Sequence, residues 1–135
     1  MKKMSMIIVL FVFAMKLSFA QLTLTVEVFN LRNNKGVVHI ELSNEKQEQV
    51  AAQTTTIQDK KCVFVFEGLE PGKYSFRFIH DENENNEIDT NWLGIPKEGF
   101  GFSNNPRMTF GPPKFPKILF DLKESTVLKV KPKYY

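Results

Sequence analysis

The sequence has a single cysteine, Cys62, so no internal disulfide is available to it. It has only two histidines, His39 and His80, too few for a zinc site of the usual nitrogen and sulfur ligands. No Gly-x-Ser-x-Gly elbow surrounds any serine. No apolar run is long enough to cross a bilayer comfortably, and the longest, Met6 to Ala14, falls well short. Clear helical periodicity is scarce as well. These gaps exclude a disulfide scaffold, leave a catalytic constellation with little to work with, and direct attention to packing and to oxygen ligands.

The apolar run at the start reads as a signal peptide. Lys2 and Lys3 supply its basic end, and Ser18-Phe19-Ala20 places small residues where a signal peptidase reads them. Cleavage is expected after Ala20. Gln21 follows, so the cysteine of a lipoprotein is missing there. Lys2, Lys3 and Lys16 would leave with the leader and no acid would. The 18 basic residues then fall to the number of the 15 acidic ones. A balanced chain carries no basic field for nucleic acid or an anionic membrane. The expectation is an exported protein, periplasmic or extracellular, with no membrane insertion once the leader is gone.

Residues 21–135 have the length of one domain, and their pattern is that of strands. Leu22 to Val28 alternates apolar and polar residues. Val38, Ile40 and Leu42 alternate with His39 and Glu41. Tyr74, Phe76 and Phe78 do the same with Ser75 and Arg77. Cys62 to Phe66 is apolar on both faces, which suggests a central strand. Ile118 to Leu122 and Thr126 to Val130 complete a set of about seven. Asn33-Asn34-Lys35-Gly36 predicts a hairpin turn, Asp59-Lys60-Lys61 a polar turn, and Glu70-Pro71-Gly72 a tight one. Asn44 to Ala52 predicts one short helix, capped by Asn44 with Gln47 in reply. The fold class expected is all-β, a single antiparallel β-sandwich, immunoglobulin-like or transthyretin-like, with a small closed barrel as the alternative.

One connection breaks the pattern. From Asp81 to Pro106 no period-two run is visible, and loops of that length are usually functional or disordered. Its Trp, Leu, Ile and Phe residues argue against disorder. Asp81, Asn83, Asn85 and Asp89 stand at positions 1, 3, 5 and 9 of a calcium-loop pattern, with the carbonyl of Glu87 at position 7 and Ile88 as its apolar anchor. A curled loop turns alternate side chains toward its centre, and Asp and Asn oxygens suit a hard cation, so Ca2+ is the metal expected. Two residues depart from the pattern. Asn86 replaces glycine at position 6, and Trp92 stands where a bidentate glutamate belongs. A twelfth-position ligand would have to come from Glu87 or Glu98. The opposing expectation is an Asx-rich turn that satisfies its own backbone.

The second half of the loop, Trp92 to Pro96 and Gly99 to Phe102, offers aromatic rings flanked by glycine. They suit a stacking platform for a sugar or peptide, or else a cap on one end of the fold. His80 can orient Asp81 or simply end its strand, and His39 reads as exposed. Cys62, set among Phe and Val, reads as a buried small hydrophobe.

The stretch Phe66 to Leu122 resembles a family of secreted bacterial proteins known as domain of unknown function 2141. The motifs that carry the likeness are His80-Asp81, Gly94-Ile95-Pro96-Lys97-Glu98, Gly101-Phe102-Ser103-Asn104-Asn105 and Gly111-Pro112-Pro113-Lys114-Phe115. The family's loop usually has Gly where this chain has Asn86. Phe66 to Phe78 is also similar to the Gly-Leu-x-Pro-Gly-x-Tyr turn of transthyretin-like and carboxypeptidase-regulatory-like sandwiches, which implies fold alone. The function expected is a noncatalytic binding or structural module, its loop stiffened by Ca2+, its partner a protein or carbohydrate. The alternative is a small hydrolase using the loop carboxylates with His80.

Overall fold

A computed structural model describes residues 20–135. The leader expected at residues 1–20 lies outside them except for Ala20. Eight strands run in chain order: β1 Leu22–Val28, β2 Val37–Asn44, β3 Gln49–Thr56, β4 Cys62–Leu69, β5 Gly72–Asp81, β6 Phe100–Phe102, β7 Phe120–Leu122 and β8 Thr126–Val130. A single helical turn, α1, covers Phe115–Ile118. The chain is all-β, as the alternation predicts. A three-stranded sheet has the order β4-β1-β8, and a five-stranded sheet the order β3-β2-β5-β6, with β7 also paired to β5.

The two sheets enclose one core. Leu24, Val26 and Val28 of β1 and Phe64 and Phe66 of β4 face Val38, Ile40 and Leu42 of β2 and Phe76 and Phe78 of β5 in one buried cluster. Period-two alternation places these residues inward and their neighbours outward. The sandwich is antiparallel except for β1 and β8, which run parallel.

Several local expectations are corrected. The helix over Asn44 to Ala52 is a turn followed by β3. Asn44 does cap, but its Oδ1 accepts the N–H groups of Lys46 and Glu48, which closes a tight turn instead of a helix. The β-branched Thr54, Thr55 and Thr56 favour the strand. Cys62 to Phe66 is an edge strand, with Val63 and Val65 exposed. Asn33 to Gly36 makes no hairpin, because β1 and β2 belong to different sheets. Gly36 has φ +69°, and a Cβ there would strike the carbonyl of Asp81, so only glycine fits. The strand expected from Ile118 begins at Phe120, because α1, with Pro116 in its first positions, runs through Ile118. The long connection contains β6.

The C-terminal stretch ties the sheets together. Phe29 donates its N–H to the carbonyl of Val130, while Lys133 exchanges two backbone hydrogen bonds with Phe100. Tyr134 then lies against Gly99, where a Cβ would meet its ring.

Candidate functional site

The long loop leaves β5 at Asp81 and returns at Gly99, whose carbonyl accepts the N–H of His80. Its base is therefore closed by a main-chain bond at 2.7 Å. Farther out, Lys97 donates to the carbonyl of Asp89, and Thr90 bridges Pro96. The tip is a turn around Asn91, whose Oδ1 accepts the N–H groups of Leu93 and Ile95. The loop is thus a closed, internally bonded unit that folds over the outer face of the five-stranded sheet.

Parity along β5 decides which side chains meet. Phe76, Phe78 and His80 point into the core, while Arg77, Ile79 and Asp81 face the other way, toward the loop. Asp81 is fully buried beneath the loop. Its Oδ1 accepts the Asn85 N–H at 3.2 Å and its Oδ2 the Asn86 N–H at 2.8 Å. His39, outward-facing on β2, brings Nε2 to 3.0 Å from Oδ2 and holds Thr54 Oγ1 with Nδ1. Burial raises the Asp81 pKa, but the hydrogen bonds of His39, Asn86 and Asn85, with the nearby imidazole charge, outweigh it and hold the carboxyl below its usual range.

The histidine that orients Asp81 is His39, because its strand neighbour His80 faces inward. His80 is fully buried, with Nδ1 2.8 Å from the Tyr134 hydroxyl and Nε2 2.7 Å from the Lys35 carbonyl. Both ring nitrogens are engaged. Tyr134 Oη also accepts the Arg32 N–H, and Arg32 pairs with Glu82 at 2.6 Å.

The other loop residues named from sequence are brought together. Asn83 Nδ2 and Asn85 Nδ2 donate to the two oxygens of Asp89 at 2.7 and 2.8 Å. Asn85 Oδ1 accepts the Glu87 N–H. Asn86, the residue in place of glycine, takes φ +60°, the left-handed conformation the pattern needs there. Among the described residues no group of three His, Cys, Asp or Glu side chains is placed to hold a metal by itself. Any cation here must therefore draw on the amides and a carbonyl as well.

Glu98 completes the cluster from the far end of the loop. It is 95% buried by accessible area, being only 5% exposed. Its Oε1 accepts the Glu82 N–H at 3.1 Å, while Oε2 has no hydrogen-bond partner among the described residues. Burial raises its pKa first, and the charges of Asp89 and Asp81 push it further up, against the Glu82 N–H that Oε1 accepts. Asp89 and Asp81 are thus near enough to act on Glu98 through their charge. The sequence signals for Glu98 were the missing twelfth-position ligand and its place in the Gly94-Ile95-Pro96-Lys97-Glu98 motif. Cys62 is buried in the core, and burial pushes its thiol up to about 12, far from a thiolate nucleophile at neutral pH.

The aromatic half divides. Trp92 is 91% exposed at the tip, beside exposed Leu93. Phe100 and Phe102 return to the outer face of the sheet, whereas Gly101 between them faces the core, where a Cβ would collide with the Phe78 ring.

Comparison with known families gives one match. The model of a bacterial family described as "Uncharacterized protein conserved in bacteria (DUF2141)" matches residues 26–129. The chain belongs to the DUF2141 family. The match runs from β1 through β8 and so includes the entire loop and both strands that support it. No curated protein and no solved structure matches the chain. The function of this DUF2141 member therefore has to be argued from its own residues.

Proposed function

We propose that this protein is an exported, noncatalytic binding or structural module whose Asp81–Glu98 loop is organised by Ca2+. The observation that carries the reading is the unpartnered Oε2 of buried Glu98 beside the charges of Asp81 and Asp89. A buried carboxylate oxygen with no donor costs free energy, and a cation is the partner its neighbours favour. The donor set fits. Asp81, Asn83, Asn85, Asp89, Glu98 and the Glu87 carbonyl offer oxygen alone, which suits Ca2+ and not zinc. Asn83 and Asn85 would turn their amide oxygens inward by rotation about χ2. Glu98, fixed by the Glu82 N–H, supplies the ligand that Trp92 cannot. The exposed Trp92–Leu93 tip is the surface offered to a protein or carbohydrate partner.

Export is supported by the leader pattern through Ala20. Among the described residues no helix is long and apolar enough to cross a membrane. The hydrolase alternative needs His80 beside a loop carboxylate, and both nitrogens of His80 are already bonded to Tyr134 and Lys35.

The test is thermal unfolding of residues 21–135 in EDTA and then in millimolar Ca2+, with Mg2+ as control. A ligand at about 100 times its Kd adds about 2.7 kcal/mol, a rise of several degrees for a domain of this size. A Ca2+-specific rise that vanishes in Glu98→Gln supports the reading. No rise in the unsubstituted protein removes it.

A further inference from the structure

The same face of the five-stranded sheet carries a second feature beside the acidic cluster. A cleft of about 570 Å3 lies over Ile79 and Phe100, between the Ile88–Pro96 side of the loop and the Thr109–Pro112 segment. Its volume falls within the roughly 300–1,000 Å3 typical of small-molecule sites. We infer that this cleft binds an uncharged, planar hydrophobic small molecule.

Charge decides the first part. Among the described residues Arg77 is the one lining residue with a charged side chain, its guanidinium paired with Glu41 at 2.8 Å, and Lys133 Nζ lies against the Tyr135 ring at the rim and donates to the Met108 carbonyl. An ionic ligand would shed water and would have to compete with Glu41 for Arg77. A sugar would lose most of its hydrogen bonds for the same reason, since apolar side chains dominate the walls.

Shape decides the second part. The Phe100 and Tyr135 rings stack at 29° with centroids 6.0 Å apart, and Phe102 meets Phe100 edge-on at 82°. Tyr135 is covered by Phe100 and by Lys133 Nζ, 4.5 Å from its centroid, so Phe100 and Phe102, set nearly at right angles, supply the ring surface for a flat guest. Gly94 and Gly111 stand on the two opposing lips, and a Cβ at either would point into open space. Bare backbone on both lips leaves room for a ring to enter.

An extended peptide is a poorer occupant. Strand addition would need the free backbone groups of β6, yet both the N–H and the carbonyl of Phe100 are bonded to Lys133. The cleft does not require the calcium reading, although Ile88 and Ile95 belong to the same loop.

The test uses N-phenyl-1-naphthylamine, an uncharged planar fluorophore, with residues 21–135 in EDTA and again in Ca2+. Saturable enhancement is expected in at least one of the two conditions. Ile95→Trp, which fills the cleft, and Phe110→Ala, which trims a side chain already 96% exposed, should each weaken binding by about 10-fold. Circular dichroism confirms that both variants fold. Val127→Ala, exposed on the other sheet, should bind as the unsubstituted protein does. No saturable signal in either condition overturns the inference. So does unchanged affinity in both cleft variants, or displacement by dodecanol as effective as displacement by naphthalene. Probe binding that persists while Ca2+ leaves the melting temperature unmoved sinks the calcium reading alone.

Discussion

The two ends of one loop behave as different materials. At the acidic end one polar residue is buried and bonded: Asp81 is sealed under the loop and gripped by His39 and two backbone N–H groups. At the tip, about ten residues on, the largest apolar side chain of the loop stands in water. At these two residues burial runs opposite to hydropathy. The reason is that Asp81 ends a central strand and inherits its fixed direction, whereas Trp92 belongs to a turn held together by Asn91 and its own backbone. Polar groups anchored by the sheet build the site, and the apolar tip stays free to meet something else.

The largest effect should come from cutting the anchored end. Asp81→Ala would leave His39 and two buried N–H groups without their acceptor and should cost about 3 kcal/mol, read from urea unfolding. An equal cost at Trp92 would break the contrast. Next, Gly101→Ala should cost about 2 kcal/mol, because the added methyl must displace the Phe78 ring. That change tests whether the aromatic end is pinned at β6 and free only at its tip.

Glu98 should act in the opposite direction. Its pKa is raised, so its contribution to stability is present while it is protonated and is lost as pH climbs from the ordinary glutamate value through the raised one. In EDTA at neutral pH, Glu98→Gln should therefore gain about 1 kcal/mol, and it should no longer respond to Ca2+. Asp81 has the reverse sign. Its depressed pKa gives stability that is present above the ordinary aspartate value and is lost on acidification through its folded value, so Asp81→Asn should flatten that acid limb of the stability curve. The smallest effect belongs to the tip, where Trp92→Ala should change stability by less than about 0.5 kcal/mol.

Much of the fold was legible because burial writes a period of two. Leu22 to Val28, Val38 to Leu42 and Tyr74 to Phe78 carry apolar residues at every second position, and each is a strand with that face inside. β3 was not legible. Gln49–Thr56 lies at a sheet edge with no residue fully buried, so no apolar alternation marks it. The edge position of β4 was hidden for a related reason, since its outward Val63 and Val65 imitate a two-faced core strand. In the candidate site, Asp81, Asn83, Asn85, Glu87 and Asp89 could be read from spacing, because a curled loop brings near neighbours together.

By itself the sequence determined the all-β class, the inward faces of its main strands and the acidic loop, because these depend on patterns a few residues long. Tertiary structure alone decided the rest. The register of β2 on β5 sets His39 opposite Ile79 and so beside Asp81, while parity sends His80 into the core. Closure of the loop at Gly99 carries Glu98 back to the carboxylates. The C-terminal residues then cross to β6 and set Tyr134 on His80 and Tyr135 on Phe100. Each of these meetings joins residues far apart in the chain, and only the pairing of strands brings them within hydrogen-bonding reach.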